Sequence, residues 1–231
     1  MRTAPAAGWG DCGRKHTLRK PPDAILGGEG VQRMDFLPIR RAILSVTDKT
    51  GLVDFASFLV EHKVELVSTG GTQKALEKAG LPVTAVSTVT GFPEILGGRV
   101  KTLHPKIHAG ILCNKDNPEH MRTIAEKGIL PFDLVCVNLY DFAGAVERRL
   151  SLEQAVEEID IGGPCMIRAA AKNFHSVLVL PSVQWYEAAR QEMGEHDMRV
   201  GLPFRQRMAS RAFEATSRYD ALICSYIRPG D

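Results

Sequence analysis

Short runs of apolar residues alternate along the chain with stretches in which apolar residues recur every three or four positions. The runs are typical of strands, and the spaced stretches are typical of amphipathic helices. Their regular alternation predicts β-α-β units around a parallel sheet, and strands without polar alternation indicate a sheet covered on both faces. The expected fold class is therefore α/β, with three α/β/α layers and a mainly parallel central sheet. The expected strands span 42–46, 65–68, 82–86, 134–139 and 176–180, and the expected helices cover 52–60, 72–79, 119–127, 151–158, 166–173, 183–192 and 204–226.

Residues 1–33 lack this pattern. They hold six Gly and three Pro without a sustained apolar period, which is typical of a disordered segment. We interpret 1–33 as a disordered leader or a mis-assigned start, and 34–231 as the folded domain. The formal charge divides in the same way, because 1–33 carry +3 and the remainder −1, which gives +2 for the 231 residues.

The composition excludes several classes of protein. A net charge of +2 is too small for a surface that coats nucleic acid. No apolar run approaches the roughly 18 residues of a membrane helix, so neither nucleic acid nor a membrane is an expected partner. The five cysteines form no CxxC pair, which argues against a zinc site or a disulfide framework. A cytoplasmic location is the simplest expectation for such a chain without an apolar signal segment.

Two histidines have a spacing that could suggest a metal. His104 and His108 are four residues apart, but the intervening Pro105 disfavours a helix through them, and no third ligand is evident. We therefore expect no metal site.

Two polar turns follow predicted strands and precede predicted helices. They are SVTDKTG (45–51) and STGGT (68–72). Hydroxyls, glycines and a lysine suit a phosphate at a helix N-terminus, because free N–H groups point outwards there. Each turn alone is more simply explained as a helix cap with surface side chains. Together they make a phosphate site an equal alternative, placed at the carboxyl ends of strands where such folds bind ligands.

Two further segments concentrate charge. The segment 97–110 places Arg99 and Lys101 beside two glycines, and these side chains are typical anion ligands, although a solvated connection could look the same. Asp160 precedes a Gly-Gly helix entry, where it could hold a proton. Lys172 ends that helix, where its ordinary role is to offset the helix dipole.

Five motifs together resemble those of one known family. They are SVTDKTG (45–51), STGGT (68–72), TGFPEILGGRVKTLHPKIHAGIL (90–112), NLYDF (138–142) and DIGGPCMIRAAAKN (160–173). The family is the IMP cyclohydrolase domain of the bifunctional AICAR transformylase/IMP cyclohydrolase, and the resemblance runs from about residue 41 to 226. It implies a methylglyoxal synthase-like fold and the closure of 5-formamidoimidazole-4-carboxamide ribonucleotide to IMP with loss of water. It implies a nucleotide substrate and no cofactor.

The resemblance also bears on partners. The sequence lacks the family's usual transformylase domain, which leads us to expect either a free-standing cyclohydrolase or a truncated chain. A homodimer and a separate transformylase are the candidate partners.

The resemblance assigns site residues by position. Lys172 matches the family's proton donor or acceptor. Lys101, Tyr140 and Asp160 match residues around the reacting groups, and we expect backbone N–H groups near Gly162–Gly163 to help stabilise an oxyanion. The substrate-binding residues are expected to be Thr47, Asp48, Lys49, Thr69, Gly70, Gly71, Thr72, Arg99, Val100, Thr102, Val137, Asn138, Ile161, Gly162 and Gly163.

Two departures from the family and two rival functions stay open at this stage. Asp141 stands where the family usually has Pro, and Pro164 stands at a first-turn position that Pro suits.

A methylglyoxal synthase-like lyase would need a carboxylate base for carbon-acid chemistry. A nucleotide-sensing module would need the phosphate turns but not all four expected catalytic residues.

Overall fold

The computed structural model describes residues 34–228, and five short strands in this range pair as one parallel sheet. Across the sheet the order is β4-β3-β2-β5-β6, and a separate antiparallel pair joins β1 to β7. The strands are β1 (Phe36–Pro38), β2 (Arg41–Ser45), β3 (Glu65–Ser68), β4 (Thr84–Ala85), β5 (Leu134–Val137), β6 (Leu178–Leu180) and β7 (Arg199–Gly201).

Helices cover both faces of the parallel sheet. The connections from β2 to β3 and from β5 to β6 run in opposite directions, so right-handed crossovers place their helices on opposite faces. The helices are α1 (Leu52–Glu61), α2 (Gly70–Lys78), α3 (Val86–Thr90), α4 (Pro105–Leu112), α5 (Pro118–Glu126), α6 (Phe142–Glu147), α7 (Leu152–Glu157), α8 (Gly162–Lys172), α9 (Tyr186–Glu195) and α10 (Leu202–Ile227). One face carries α1, α2 and α9, and the other carries α4, α8 and α10.

The core lies between these layers. The middle of β2 and all of β5 and β6 are fully or almost fully buried, as expected for strands covered on both faces. The predicted three-layer α/β/α fold is therefore confirmed. The five expected sheet strands and most of the expected helices lie within about two residues of their observed bounds, although α8 begins four residues earlier than expected.

The segment 97–110 contains the start of a helix that the sequence pattern did not predict. This helix does not run through both His104 and His108, as expected from Pro105, because it begins only after His104. Helix α4 begins at Pro105, and the His104 ring Nδ1 accepts the Lys106 N–H at 3.1 Å as its N-cap. A helix tolerates proline at its first position because that N–H has no intrahelical partner anyway. The sequence analysis also missed β1, β7, α3 and α6. The expected leader, 1–33, lies outside the described residues.

A second, smaller apolar cluster lies beside the main core. Helices α6 and α7 form a hairpin whose Phe142 and Ala155 pack against Tyr219 on the last helix. The Phe142 ring meets the Tyr226 ring edge-on at 5.5 Å, and Tyr226 Oη donates to the Leu150 carbonyl at 2.6 Å. The C-terminal half of α10 therefore supports this hairpin.

Arg205 is the largest fully buried side chain of the described residues. Its guanidinium donates to the carbonyls of Phe174 and His175 after α8, of Val200 in β7, and of Met34 and Asp35 before β1. Five acceptors satisfy a donor group that would otherwise be costly to bury. Arg205 thus joins the start of the described chain, β7 and the start of α10 to the segment after α8.

Candidate active site

A cleft of about 920 Å³ opens at the carboxyl ends of β2 and β5. Ser45 and Val137 end these neighbouring strands at the same level. From β2 the chain continues towards one edge of the sheet and from β5 towards the other. Parallel sheets bind ligands at such a reversal of strand order, because the connecting helices diverge and leave a crevice. The volume is within the range of small-molecule sites.

The cleft brings together fifteen of the nineteen residues expected from the sequence. Three are expected catalytic residues, namely Lys101, Tyr140 and Asp160. The other twelve are Thr47, Lys49, Thr69, Gly70, Gly71, Thr72, Arg99, Thr102, Asn138, Ile161, Gly162 and Gly163.

Three expected substrate contacts lie outside the cleft lining. Val137 is buried within the sheet, and Val100 pairs with Ile95 in an isolated bridge. The Asp48 carboxylate accepts the Thr50 N–H at 2.9 Å, which lowers the pKa of Asp48.

Lys172 also lies apart from the other expected catalytic residues. It is the last residue of α8 and is exposed, whereas the cleft contains the first residues of that helix. Ten residues separate Lys172 from Gly162, which corresponds to about 15 Å along the helix axis. Within one chain, the structure does not bring Lys172 to the cleft.

The N-terminus of α2 is built to receive an anion. Its N-cap Thr69 makes no side-chain capping bond, and Thr69, Gly70 and Gly71 all line the cleft. A Cβ placed on Gly70 would lie 3.4 Å from Lys101 Nζ, and one on Gly71 would lie 3.7 Å from Lys49 Nζ. Two ammonium groups therefore flank the N-terminus, where the helix dipole also favours negative charge.

Two polar side chains of the lining hold the cleft in shape. Thr72 Oγ1 accepts the Val46 N–H at 2.9 Å and donates to the Val46 carbonyl at 3.0 Å. Asn138 Oδ1 accepts the Thr47 N–H at 2.6 Å, and its Nδ2 donates to the Asp48 carbonyl at 2.8 Å. These bonds fix the turn after β2 against α2 and β5.

Asp160 is the carboxylate at the opposite wall. Its Oδ1 accepts the Gly163 N–H at 2.8 Å, and its own N–H donates to Tyr219 Oη at 2.7 Å. Burial raises the pKa of Asp160, while the Gly163 N–H and the charge of Lys101 oppose that rise. A Cβ on Gly163 would collide with the Asp160 carboxylate, so a side chain there would displace this carboxylate from its present position. A partly desolvated carboxylate of this kind can accept a proton.

Ion pairs surround the mouth of the cleft. Arg99 pairs with Glu157 of α7, and both side chains are more than half exposed. Arg148 Nη2 lies 3.9 Å from Glu158 Oε1, and Lys101 Nζ lies 3.5 Å from Glu94 Oε1. Exposed pairs contribute little to stability, so an anionic ligand could displace these carboxylates at small cost.

Sequence comparison assigns this site to a family. The profile of the MGS-like domain matches residues 51–165, and that of the AICARFT/IMPCHase bienzyme matches residues 170–230. The bifunctional purine biosynthesis protein PurH of Rhodospirillum rubrum is 52% identical over 192 residues, which is 83% of this chain and 36% of that protein. PurH of Clostridium botulinum is 52% identical over 189 residues, which is 82% of this chain and 38% of that protein. The chain belongs to the AICARFT/IMPCHase family.

A solved structure extends the likeness. The crystal structure of ForH has a TM-score of 0.69 and 33% sequence identity, and the match covers 80% of this chain and 97% of ForH. The chain spans little more than a third of the length of the PurH proteins it matches. In this AICARFT/IMPCHase family member, the MGS-like match includes the whole cleft lining except Ser45, Val46, Thr47, Lys49 and Met166.

The sequence analysis missed several residues of the cleft in this family member. Arg148 and Glu158 reach it because the α6–α7 hairpin folds against α10. The sequence does locate α7, since Ser151 and Gln154 form the predicted capping box, but nothing in it tells which side chains of the hairpin face the cleft.

Residues 34–228 contain no cluster of three or more His, Cys, Asp or Glu residues that could hold a metal ion. None of the helices described there is long and apolar enough to cross a membrane.

Proposed function

We propose that this chain is an IMP cyclohydrolase, which closes the formamide of 5-formamidoimidazole-4-carboxamide ribonucleotide onto its carboxamide and releases water and IMP. One observation carries the proposal. The N-terminus of α2, flanked by Lys49 and Lys101, opens into the same cleft as the partly buried carboxylate of Asp160. Family membership supports it, as the relatives are named purine biosynthesis proteins.

The phosphate end of the substrate binds at α2 in this proposal. The N–H groups of Gly70 and Gly71 and the two ammonium groups neutralise the 5′-phosphate. Arg99 leaves the exposed carboxylate of Glu157 for the substrate anion, since that exposed pair is easily exchanged. These contacts fix one end of a substrate whose two reacting groups are already in the same molecule, and orientation then supplies much of the rate.

The ring-closing step needs a base and an electrophilic contact. The carboxamide nitrogen attacks the formyl carbon, and Asp160 accepts the proton that this nitrogen loses. Negative charge develops on the formyl oxygen, where Lys101 and Tyr140 supply donors. That oxygen then takes up two protons, the one held by Asp160 and the one that the formamide nitrogen loses as the ring C=N bond forms, and it leaves as water. No electrons enter or leave, so no cofactor is required. The Gly163 N–H donates to Asp160 and therefore holds the base rather than the oxyanion.

The direct test is to supply the formamido ribonucleotide to the purified full chain and to follow IMP by absorbance and chromatography. We expect turnover in the wild type. In Lys49→Met we expect KM to rise about tenfold or more, because one phosphate contact is lost. Lys74→Met removes a lysine of α2 outside this cleft and serves as the matched control.

Other outcomes distinguish the rival functions. Production of methylglyoxal from dihydroxyacetone phosphate without IMP would replace the proposal by a lyase. Tight IMP binding without turnover would replace it by a nucleotide-sensing module.

The proposal extends to partners and location. The formamide of the substrate must come from a formyl-transfer reaction, so a transformylase is the expected upstream partner. A homodimer remains a prediction that sedimentation velocity tests. The four described cysteines form no disulfide, which suits the reducing cytoplasm that we propose.

A further inference from the structure

We infer that Tyr219 of α10 is a positioning residue for ring closure, holding Asp160 in the orientation in which its carboxylate accepts the substrate's proton. This inference rests on the proposed function and extends it to a helix outside the cleft, because Tyr219 is not part of the cleft lining. The motifs of the cleft do not include this residue.

Two anchors hold Asp160 from two different helices. On the side of α8, the Gly163 N–H donates to its carboxylate at 2.8 Å. On the side of α10, Tyr219 Oη accepts the Asp160 N–H at 2.7 Å, and the same hydroxyl lies 3.5 Å from the Glu158 carbonyl, to which it can donate. The first anchor orients the side chain, and the second fixes the backbone that carries it.

The hydroxyl of Tyr219 is itself firmly placed. The residue is only 8% exposed and packs in the small apolar cluster with Phe142. Burial raises the pKa of Tyr219 to about 12, so the phenol keeps its proton at physiological pH. A neutral hydroxyl of this kind can accept from one backbone group and donate to another at the same time.

Between α7 and α8, Ile159 packs against the small apolar cluster, whereas the chain is exposed again directly after Asp160. Ile161 is 57% exposed, and no side-chain bond caps α8 at this residue. Without the hydroxyl, the Asp160 N–H would lose its partner, and the segment would have to move to find water. The other groups facing Asp160 are Lys101 and the N–H groups of Gly162 and Gly163, none of which holds this backbone from α10.

The experiment compares two tyrosines of the same helix. Tyr219→Phe removes the hydroxyl and keeps a ring in the apolar cluster, and we expect kcat for IMP formation to fall about tenfold while KM changes less than about twofold. The acid limb of the kcat/KM profile should also move to lower pH, because a freed Asp160 gains water and its pKa falls. Tyr226→Phe is the matched control, since it loses a hydroxyl bond to the Leu150 carbonyl in the same cluster.

Tyr226→Phe should keep both kcat and the acid limb. Equal losses of kcat in the two variants would overturn the inference, because they would indicate a general loosening of α10. An unchanged kcat and acid limb in Tyr219→Phe would overturn it as well.

A second measurement separates this inference from the proposed function. If the wild type makes no IMP, the proposed function fails, and the Asp160 pKa is then measured by carboxyl-carbon NMR titration, with the signal assigned through Asp160→Asn. A lower Asp160 pKa in Tyr219→Phe than in wild type and Tyr226→Phe supports the positioning role. Equal pKa values in all three proteins contradict it.

Discussion

The ionisation of Asp160 links activity and stability in this cleft. Its pKa is raised because burial disfavours the charged form more than the Gly163 N–H and Lys101 favour it. The ionised form of Asp160, which proton abstraction needs, therefore lowers the stability of the folded state. Functional carboxylates often carry such a cost.

We expect kcat/KM to fall as the pH drops through the raised pKa of Asp160, because only the carboxylate accepts a proton. Asp160→Asn should reduce turnover by about a hundredfold or more. A profile between about pH 4 and 8 measures this limb. An Asn variant with nearly normal turnover would contradict the role of Asp160 as base.

The same substitution should stabilise the fold at neutral pH. A folded-state pKa above the unfolded value gives stability that is present below the unfolded pKa and lost as the pH rises through the folded one. Asp160→Asn removes that loss and should raise the thermal midpoint at pH 7. Asp48→Asn is the opposite control, because the pKa of Asp48 is lowered in the folded state, and its midpoint should fall.

Single residues also show which features of the site can be predicted from the sequence and which cannot. Gly70 and Gly71 could be predicted because they follow a recognisable strand and open a recognisable helix. The bonds of Thr72 to Val46 and of Asn138 to Thr47 could not, because they depend on which strands are neighbours. The resemblance supplied the remaining site residues by position, without their hydrogen-bond partners.

Helix α8 acts at the scale of an element, because it is a rigid rod with one end in the cleft. Its first turn holds Asp160 through Gly163, and its last residue is Lys172. The resemblance identified both ends as functional. Helix geometry keeps them apart by about 15 Å, which a list of motifs cannot reveal.

From this placement we expect Lys172→Met to keep turnover within about threefold, whereas Lys101→Met should lose about a hundredfold or more. IMP formation by the two purified variants measures the contrast. An inactive Lys172→Met would instead support the proton-transfer role implied by the resemblance. Mixing it with Lys101→Met would then show, by restored activity, whether one copy supplies Lys172 to the cleft of another.

Helix α4 shows that the effect of a proline depends on its position in the element. Pro105 keeps His104 out of a helix, as the sequence predicts, yet it also opens α4, because the first helical position after the His104 cap suits a proline. The short strands β1 and β7 have only three residues each, too few for a periodic pattern to identify.

At the scale of the whole molecule, one buried cation joins distant parts of the chain. The Arg205 guanidinium is held by five backbone carbonyls. Burial accordingly lowers the pKa of Arg205 to about 10, and the guanidinium still stays charged at neutral pH.

We expect Arg205→Met to lower the free energy of unfolding by about 3 kcal/mol or more, since it leaves buried carbonyls without donors. Urea unfolding measures this difference. Arg207→Met is the control, because Arg207 is exposed and only lies 5.0 Å from the Phe204 ring, and it should cost less than about 1 kcal/mol. Equal midpoints for the two variants would show that the carbonyl bonds of Arg205 add nothing.

The fold class followed from the alternation of strands and helices, but the strand order did not. Nothing in the pattern of β2 and β5 says that they are neighbours, and the cleft exists because they are. Loop lengths and apolar runs are compatible with several orders of parallel strands. The resemblance to a family with a known fold therefore carried more of the whole-molecule prediction than periodicity did.

The bonds of Arg205 have a consequence for how the chain folds. They connect Met34 and Asp35 to a residue about 170 positions later. During synthesis on the ribosome, the bonds between Arg205 and the Met34 and Asp35 carbonyls can form only after nearly all of the described chain has been made. The parallel sheet can therefore form before these bonds do. Contacts of such long range slow folding, and they couple β1 to the start of α10, so we expect the two to unfold together rather than fray one at a time.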